Sequence, residues 1–332
     1  MKNNTVVITG GAGFIGSNLV RCFVDLGYEV RVIDDFSTGK KENLASVENL
    51  VEVFEGSVND DRVTSAALTG AHFVLHQAAL PSVPRSLKDP LATHRANADG
   101  TLSLLTMAKA KGLKRFVYAA SSSAYGDTAV LPKSESMCAN PKSPYAVSKY
   151  VGELYCRVFA AAFQLETICL RYFNVFGPRQ EPNSEYAAVI PKFIRCLMDG
   201  EAPVIFGDGE QTRDFCYIEN VLRANLLAVK APVTHGEVVN VACGESVSLN
   251  QLVAELNGIL GTKIKPRYVP ERQGDVKHSL ADLCEAKRVL GYEPVVRIRA
   301  GLIATVEWFN RQSRFEAAPD LRAGGSAFQA SQ

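Results

Sequence analysis

Charge of one sign is missing from this chain. Its 332 residues carry 36 Lys and Arg against 35 Asp and Glu, a net charge of +1. No global field then draws it to nucleic acid or to an anionic membrane, and any anion it binds must be held by a local site. Long hydrophobic runs are missing as well. No apolar stretch could span a bilayer, and Val6-Val7-Ile8 near the start is too short for the core of a signal peptide. The eight cysteines, at 22, 138, 156, 169, 196, 216, 243 and 284, include no Cys-x-x-Cys pair and no Cys/His ligand spacing. Most stand among apolar residues and read as buried free thiols. There is no internal repeat. The expectation is a cytoplasmic protein without a metal, of ordinary globular composition at 47% hydrophobic and 21% charged residues.

What is present alternates. Short β-rich runs at Val6–Thr9, Glu29–Ile33, Val51–Phe54, Phe73–Gln77, Arg115–Ala120 and Glu166–Arg171 are separated by helix-like segments such as Phe14–Leu26 and Ala96–Lys111. This order predicts an α/β fold, a Rossmann-like parallel sheet with helices on both faces. After Gly177 the texture changes: Pro178, Pro182, Pro191 and Pro203 punctuate shorter elements, and a strand-like Val238–Val241 precedes a helix-like Ser248–Leu260. The reading is a dinucleotide-binding domain over 1–175, to which 215–241 returns, and a smaller mixed α/β substrate domain over 176–314. The tail over 315–332 reads as poorly ordered.

Gly10, Gly13 and Gly16 form a GxxGxxG loop between the first strand and an amphipathic helix. A dinucleotide pyrophosphate needs close backbone approach, free N–H groups and the positive end of a helix, and glycine permits the approach because it has no Cβ. A tight strand-to-helix turn would use the same residues. Asp34, in Ile33-Asp34-Asp35 at the end of the second strand, weighs against that reading. A carboxylate there accepts from the adenosine ribose hydroxyls and repels a 2′-phosphate, and no arginine follows it at once, so NAD is favoured over NADP.

Tyr145 and Lys149 stand four apart at the start of a helical stretch, which puts both on one face. A phenol becomes a useful base when a nearby cation favours its phenolate, and Lys149 can supply that charge. The strand ending in Ser121-Ser122-Ser123 lies upstream, its hydroxyls emerging where ligands bind in open α/β sheets. One of these hydroxyls can hydrogen-bond a substrate hydroxyl that is losing its proton, and Ser123 is the one expected to assist Tyr145 in this way. The bland alternatives are an amphipathic helix with a surface lysine and a Ser-rich loop.

With these pieces in order, the chain resembles the extended short-chain dehydrogenase/reductase family from Val6 to about Trp308. The markers are Thr9 through Gly16, His76-Gln77-Ala78-Ala79, Ser121 through Gly126, the Tyr145/Lys149 pair, Arg171 through Gly177, and Arg213-Asp214-Phe215. Within the family it is similar to the UDP-N-acetylglucosamine 4-epimerase group, on Ala78-Ala79-Leu80, Ser82 through Ser86, Tyr186 through Lys192 and Gly274 through Asp282. The resemblance implies NAD contacts at Gly10, Gly13, Phe14, Ile15, Gly16, Asp34, Asp35, Phe36, Ser37, Ser57, Val58, Gln77, Ala78, Ala79, Asn97, Ser121, Tyr145, Lys149 and Tyr172. It implies substrate contacts at Ser82, Ser122, Ser123 and Lys192, with Asn174 at the diphosphate–sugar region. Ala188, Val189 and the Val204–Phe206 stretch would frame the uracil, Arg213 and Arg272 would neutralise the diphosphate, and Asp275 would bind the uridine ribose. Ser279 would leave space for an N-acetyl arm. Two departures stand out: Ser57 where related enzymes carry an acid toward the adenine, and Pro81 where the similar group has glycine.

The resemblance also directs the reaction. Dehydratases and decarboxylases of this kind place a carboxylate after the hydroxyl residue, as elimination requires a proton donor and acceptor at neighbouring carbons. Here the loop reads Ser121-Ser122-Ser123-Ala124, without one. The expected activity is NAD-dependent C4 epimerisation of a UDP-hexose, UDP-GlcNAc/UDP-GalNAc before UDP-Glc/UDP-Gal or a UDP-hexuronic acid. The rivals are a UDP-sugar decarboxylase or oxidoreductase, and a binder that has lost catalysis. A homodimer through a helix pair that includes 143–163 is implied by the family.

Overall fold

The computed structural model describes residues 4–182, 188–271 and 277–317. Its first half runs β1 (Thr5–Thr9), α1 (Phe14–Asp25), β2 (Glu29–Asp34), β3 (Val51–Glu55), α2 (Asp61–Leu68), β4 (Phe73–His76), α3 (Val83–Lys88), α4 (Pro90–His94), α5 (Gly100–Ala110), β5 (Arg115–Ser121), α6 (Pro144–Phe163) and β6 (Glu166–Tyr172). The second half adds β7 (Val175–Phe176), α7 (Val189–Met198), β8 (Val204–Phe206), β9 (Thr212–Arg213), β10 (Cys216–Tyr217), α8 (Ile218–Lys230), β11 (Glu237–Val241), β12 (Val247–Ser248), α9 (Leu249–Leu260), β13 (Arg267–Val269), α10 (Cys284–Leu290) and α11 (Ile298–Ala317).

Seven strands form one parallel sheet in the order β11-β6-β5-β4-β1-β2-β3. The central strands β1, β4, β5 and β6 are buried almost throughout because both faces are covered, whereas the edge strand β3 is largely exposed. Successive side chains alternate between the two faces. Val6 and Ile8 pack with Leu19 and Phe23 of α1 and Val221 of α8, whereas Val7 packs with Val74, Leu104 of α5 and Phe116. Helices α1 and α8 cover one face, and α2, α5 and α6 the other. β11 arrives from the second half of the chain and pairs with β6, with Val241 opposite Tyr172. The remaining strands pair as β7 with β10, β8 with β13 and β9 with β12.

Local chemistry sets where the helices begin. Ser143 caps α6 through its hydroxyl, which accepts the Ala146 N–H at 3.1 Å, with Pro144 as the first helical residue. Ser248 and Gln251 form a reciprocal capping box on α9. Between α4 and α5 the chain makes a π turn over Arg95–Asp99. α11 carries on to Ala317, past the boundary expected at 315, and 318–332 lie outside the described residues. Four cysteines, at 156, 169, 216 and 243, are buried, whereas Cys138 and Cys284 are exposed. Among the described residues no helix is long and apolar enough to cross a membrane. The carboxyl ends of β1, β4, β5 and β6 bring Gly10, Gln77, Ser121 and Asn174 to one edge of the sheet, where the strand order reverses between β1 and β4.

Candidate active site

The glycine loop is shaped by contact. Gly10 has φ +64°, and a Cβ there would lie 2.8 Å from the Ala78 backbone. A Cβ on Gly16 would lie 2.0 Å from the Gly10 carbonyl oxygen. The first turn of α1 therefore sits directly on the loop, and no side chain caps that helix. Its N-terminal N–H groups, beside half-buried Phe14 and Ile15, are left for an anion. Asp34 braces the loop: Oδ2 accepts the Ala12 N–H and Oδ1 the Phe36 N–H, each at 2.8 Å. Burial pushes its carboxyl up, and those two amides pull it down. Asp35 is exposed and accepts from the Ser37 N–H at 2.9 Å and the Ser37 hydroxyl at 2.6 Å. Ser57 is half-buried and Val58 is buried against Gly100.

At the end of β4, Gln77 donates from Nε2 to the Tyr172 hydroxyl at 3.2 Å, while its buried Oε1 accepts nothing among the described residues. That orphan acceptor, the glycine cradle and the uncapped helix are what a dinucleotide requires, so the residues fit NAD. Tyr172 also accepts from Asn225 Nδ2 at 2.8 Å, and burial holds its phenol up at about 12. His76, which the motif contained without a role, is fully buried and joins Thr9 at 2.7 Å to Thr101 at 3.0 Å. Burial, with Lys149 nearby, pushes it down to about 3, so it is neutral.

Asn97 is held by groups of the protein itself. Its Oδ1 accepts the Leu80 N–H at 2.7 Å, and Nδ2 donates to the Leu80 carbonyl at 3.2 Å and the Ser148 hydroxyl at 3.0 Å. The π turn aims Asn97 at the 78–82 segment, which it ties to the helix carrying Tyr145 and Lys149. β5 runs to Ser121, which then caps a tight turn over Ser122–Tyr125, and Ser123 folds back and donates to Ser121 Oγ at 2.9 Å. Ser122 and Ser123 are half-buried in this turn.

Burial pushes the Tyr145 phenol up and Ser121 pulls it down. Lys149 is 4% exposed, and burial lowers its ammonium to about 8. One turn further along α6, Glu153 takes Arg171 in a two-pronged buried ion pair, at 2.8 and 2.7 Å. This pair was not foreseen as part of the site. Its negative member lies on the Lys149 side and helps hold that ammonium charged.

Of the residues assigned to substrate, Asn174 and Ser279 are hydrogen-bonded to each other beyond β6, and both touch Asp214, which follows Arg213. Asn174, with φ +29°, donates to the Asp214 carbonyl at 3.0 Å and the Ser279 hydroxyl at 3.3 Å. Arg213, half-buried, donates to the carbonyls of Thr212 at 2.9 Å and Lys277 at 3.1 Å. Ala188 is the N-cap of α7, with Val189 its first residue and Lys192 half-buried one turn on. Val204 and Phe206 are half-buried on β8, and the Phe206 carbonyl accepts from Gln211 at 2.6 Å. Ser82 has φ +99°, is half-buried, and caps α3. Arg272 and Asp275 lie outside the described residues. Among the described residues no group of three His, Cys, Asp or Glu side chains is arranged to hold a metal.

Residues 6–242 match the model of the NAD dependent epimerase/dehydratase family. UDP-glucose 4-epimerase of Mycolicibacterium smegmatis is 38% identical over 315 residues, spanning 93% of this chain and 99% of that protein. A solved UDP-N-acetylglucosamine 4-epimerase from Methanobrevibacter ruminantium, in complex with UDP-N-acetylmuramic acid, is 40% identical with a TM-score of 0.90, covering 94% of this chain and 100% of that one. The UDP-glucose 4-epimerase of Thermotoga maritima, with UDP-glucose, is 39% identical with a TM-score of 0.89, over 93% of this chain and 99% of that one. A glycine loop and the Tyr145 and buried Lys149 pair at the edge of a parallel sheet, together with likeness over nearly the whole length, place this chain in the NAD dependent epimerase/dehydratase family, with NAD as its cofactor.

Proposed function

We propose that this enzyme interconverts the C4 epimers of a UDP-hexose, with UDP-GlcNAc and UDP-GalNAc as the preferred pair. The observation that carries the reading is Tyr145 and buried Lys149 one turn apart on α6, with no carboxylate in Ser121-Ser122-Ser123-Ala124. When bound, NAD supplies the acceptor and donor of a hydride. The Tyr145 phenolate takes the proton of the 4-hydroxyl, and Ser123, hydrogen-bonded to Ser121, holds the oxygen that loses it. Lys149 supplies the positive charge that favours the phenolate. Elimination finds no acid on this loop to catalyse it. The 4-keto sugar turns about its diphosphate and is reduced on its other face, after which Tyr145 returns the proton.

Anchoring falls to the residues beyond β6. Asn174 and Arg213 serve the diphosphate, and Ser279, small and 9% exposed, leaves room for an N-acetyl group. Asp34 keeps lone pairs for the adenosine ribose beside its two amide bonds. The 176–314 segment, apart from 215–241, is assigned to the nucleotide sugar and the rest to the dinucleotide. The protein is read as a homodimer through α6 and its neighbour α4, supported by exposed Val147, Leu154, Val158 and Leu91.

Incubating purified protein with UDP-GlcNAc and no added NAD tests the reading. UDP-GalNAc should appear. Accumulation of NADH or carbon dioxide, or turnover confined to a hexuronic acid, would instead support a rival activity.

A further inference from the structure

Asp214 is fully buried between β9 and β10. Its Oδ1 accepts the Cys243 N–H at 2.9 Å, and its Oδ2 accepts those of Gly244 at 3.0 Å and Ala281 at 3.1 Å. Its own N–H donates to Ser279 Oγ at 3.4 Å, and its carbonyl accepts from Asn174 at 3.0 Å. One residue thus holds together the turn after β6, the β9–β10 junction, the chain leaving β11 and the stretch 279–281. Three of these segments bear Asn174, Arg213 and Ser279, and the fourth extends a strand of the main sheet.

Stability alone gives no reason for an ion here. Burial pushes the Asp214 carboxyl up to about 6, against the pull of the amides of Cys243, Ala281, Gly244 and Glu245. A charge held so far from water costs the fold free energy that an apolar side chain would not. What an apolar side chain could not do is bind three N–H groups from two separate segments at once.

We infer that Asp214 is a positioning residue of the nucleotide-sugar site, its carboxylate tying the segments that bear Asn174, Arg213 and Ser279 to the carboxyl end of the main sheet. The inference rests on the UDP-hexose reading above. It assigns Asp214 to the span between the diphosphate grip and Tyr145, and to no direct contact with substrate.

The test is titration calorimetry of the NAD-loaded protein with UDP-glucose and UDP-GlcNAc, wild type against Asp214→Asn, beside NAD titration of the apoprotein. An asparagine Nδ2 cannot accept an N–H, so buried donors are left unpaired. The UDP-sugar Kd should rise about ten- to hundredfold. KM should rise in parallel, while kcat and the NAD Kd stay within about threefold. Unchanged UDP-sugar affinity in a folded variant overturns the inference and leaves the proposed function standing. A wild type that binds neither UDP-sugar overturns the proposed function, and the inference with it.

Should the variant fail to fold, a pH series on His278→Gln protein decides, since the His278 imidazole lies 2.9 Å from the Thr212 hydroxyl. The other titratable groups around Asp214 are the Cys216 thiol and Tyr292 phenol, both pushed up by burial, and the Cys243 thiol. Beyond them stand the Arg297–Glu245 pair and Asp282, whose carboxyl the Cys284 N–H holds down. UDP-glucose has no phosphate proton to gain in this range. Its affinity should fall as pH drops through about 6 and Asp214 is protonated. A flat profile overturns the inference.

Discussion

The Lys149 ammonium lies 4.5 Å from the centre of the Tyr118 ring, and the Tyr118 hydroxyl donates to the Lys149 carbonyl at 3.2 Å. The ring face offers the charge some compensation, yet the side chain remains buried and its value falls from 10.5 to about 8. A folded value below the unfolded one means that the fold is penalised for carrying this charge. The penalty is complete below about 8 and fades as pH rises toward 10.5. Its size is about 3 kcal/mol. Lys149→Met should therefore stabilise the apoprotein by about 1–3 kcal/mol near neutral pH while abolishing turnover. Urea unfolding near pH 7 and near pH 10 checks this, and a gain that does not shrink at the higher pH would contradict it.

Ser121 and Ser123 are separable. Ser123→Ala removes the hydroxyl proposed to hold the reacting oxygen, and kcat should fall about ten- to hundredfold. Ser121→Ala removes the acceptor of the Ser123 hydroxyl and should cost about threefold or less. Tyr145→Phe should cost at least about a hundredfold in kcat with NAD binding intact. Initial rates with a UDP-hexose give the order. If Ser121→Ala proves the more damaging of the two serine variants, the assignment of Ser123 is wrong.

Ser279 is small where the proposed sugar site meets Asn174. Ser279→Tyr should lower kcat/KM for the N-acetylated pair about tenfold or more relative to the unacetylated pair, since filling space rejects the larger sugar selectively. Competition between UDP-GlcNAc and UDP-glucose measures the ratio. An unchanged ratio would remove Ser279 from the specificity argument.

Val147, Leu154 and Val158 lie along the outer side of α6 at 44%, 39% and 53% exposure. Leu154→Arg together with Val158→Glu should turn the expected dimer into a monomer in sedimentation velocity. The folded monomer should keep measurable NAD affinity, because the cofactor residues lie within one chain. Wild-type protein that sediments as a monomer would rule out this interface.

The parallel sheet was legible because its central strands are buried on both faces and read as apolar runs between amphipathic helices. The glycine loop was legible for a related reason: Gly10 and Gly16 occupy positions where a side chain would collide with backbone. Spacing alone put Tyr145 and Lys149 on one helix face. That Ser123 donates to Ser121 could not be read from spacing, since the bond depends on where β5 stops and the following turn begins. Asn97 depended on a π turn, which shifts the face a residue presents without leaving a mark in the periodicity. His76, Glu153, Arg171 and Asp214 stood in or beside the motifs with no role attached, because their partners are far away in the chain.

By itself the sequence determined the layers of this protein, the order of its elements along the chain and the chemical types available at the sheet's edge, all set by local periodicity and by glycine's lack of a Cβ. Only the tertiary structure decided that Glu153 pairs with Arg171, that Asn97 braces a loop, and that Asp214 joins four segments. Such contacts cross tens of residues and depend on hydrogen-bond geometry, which no local pattern encodes.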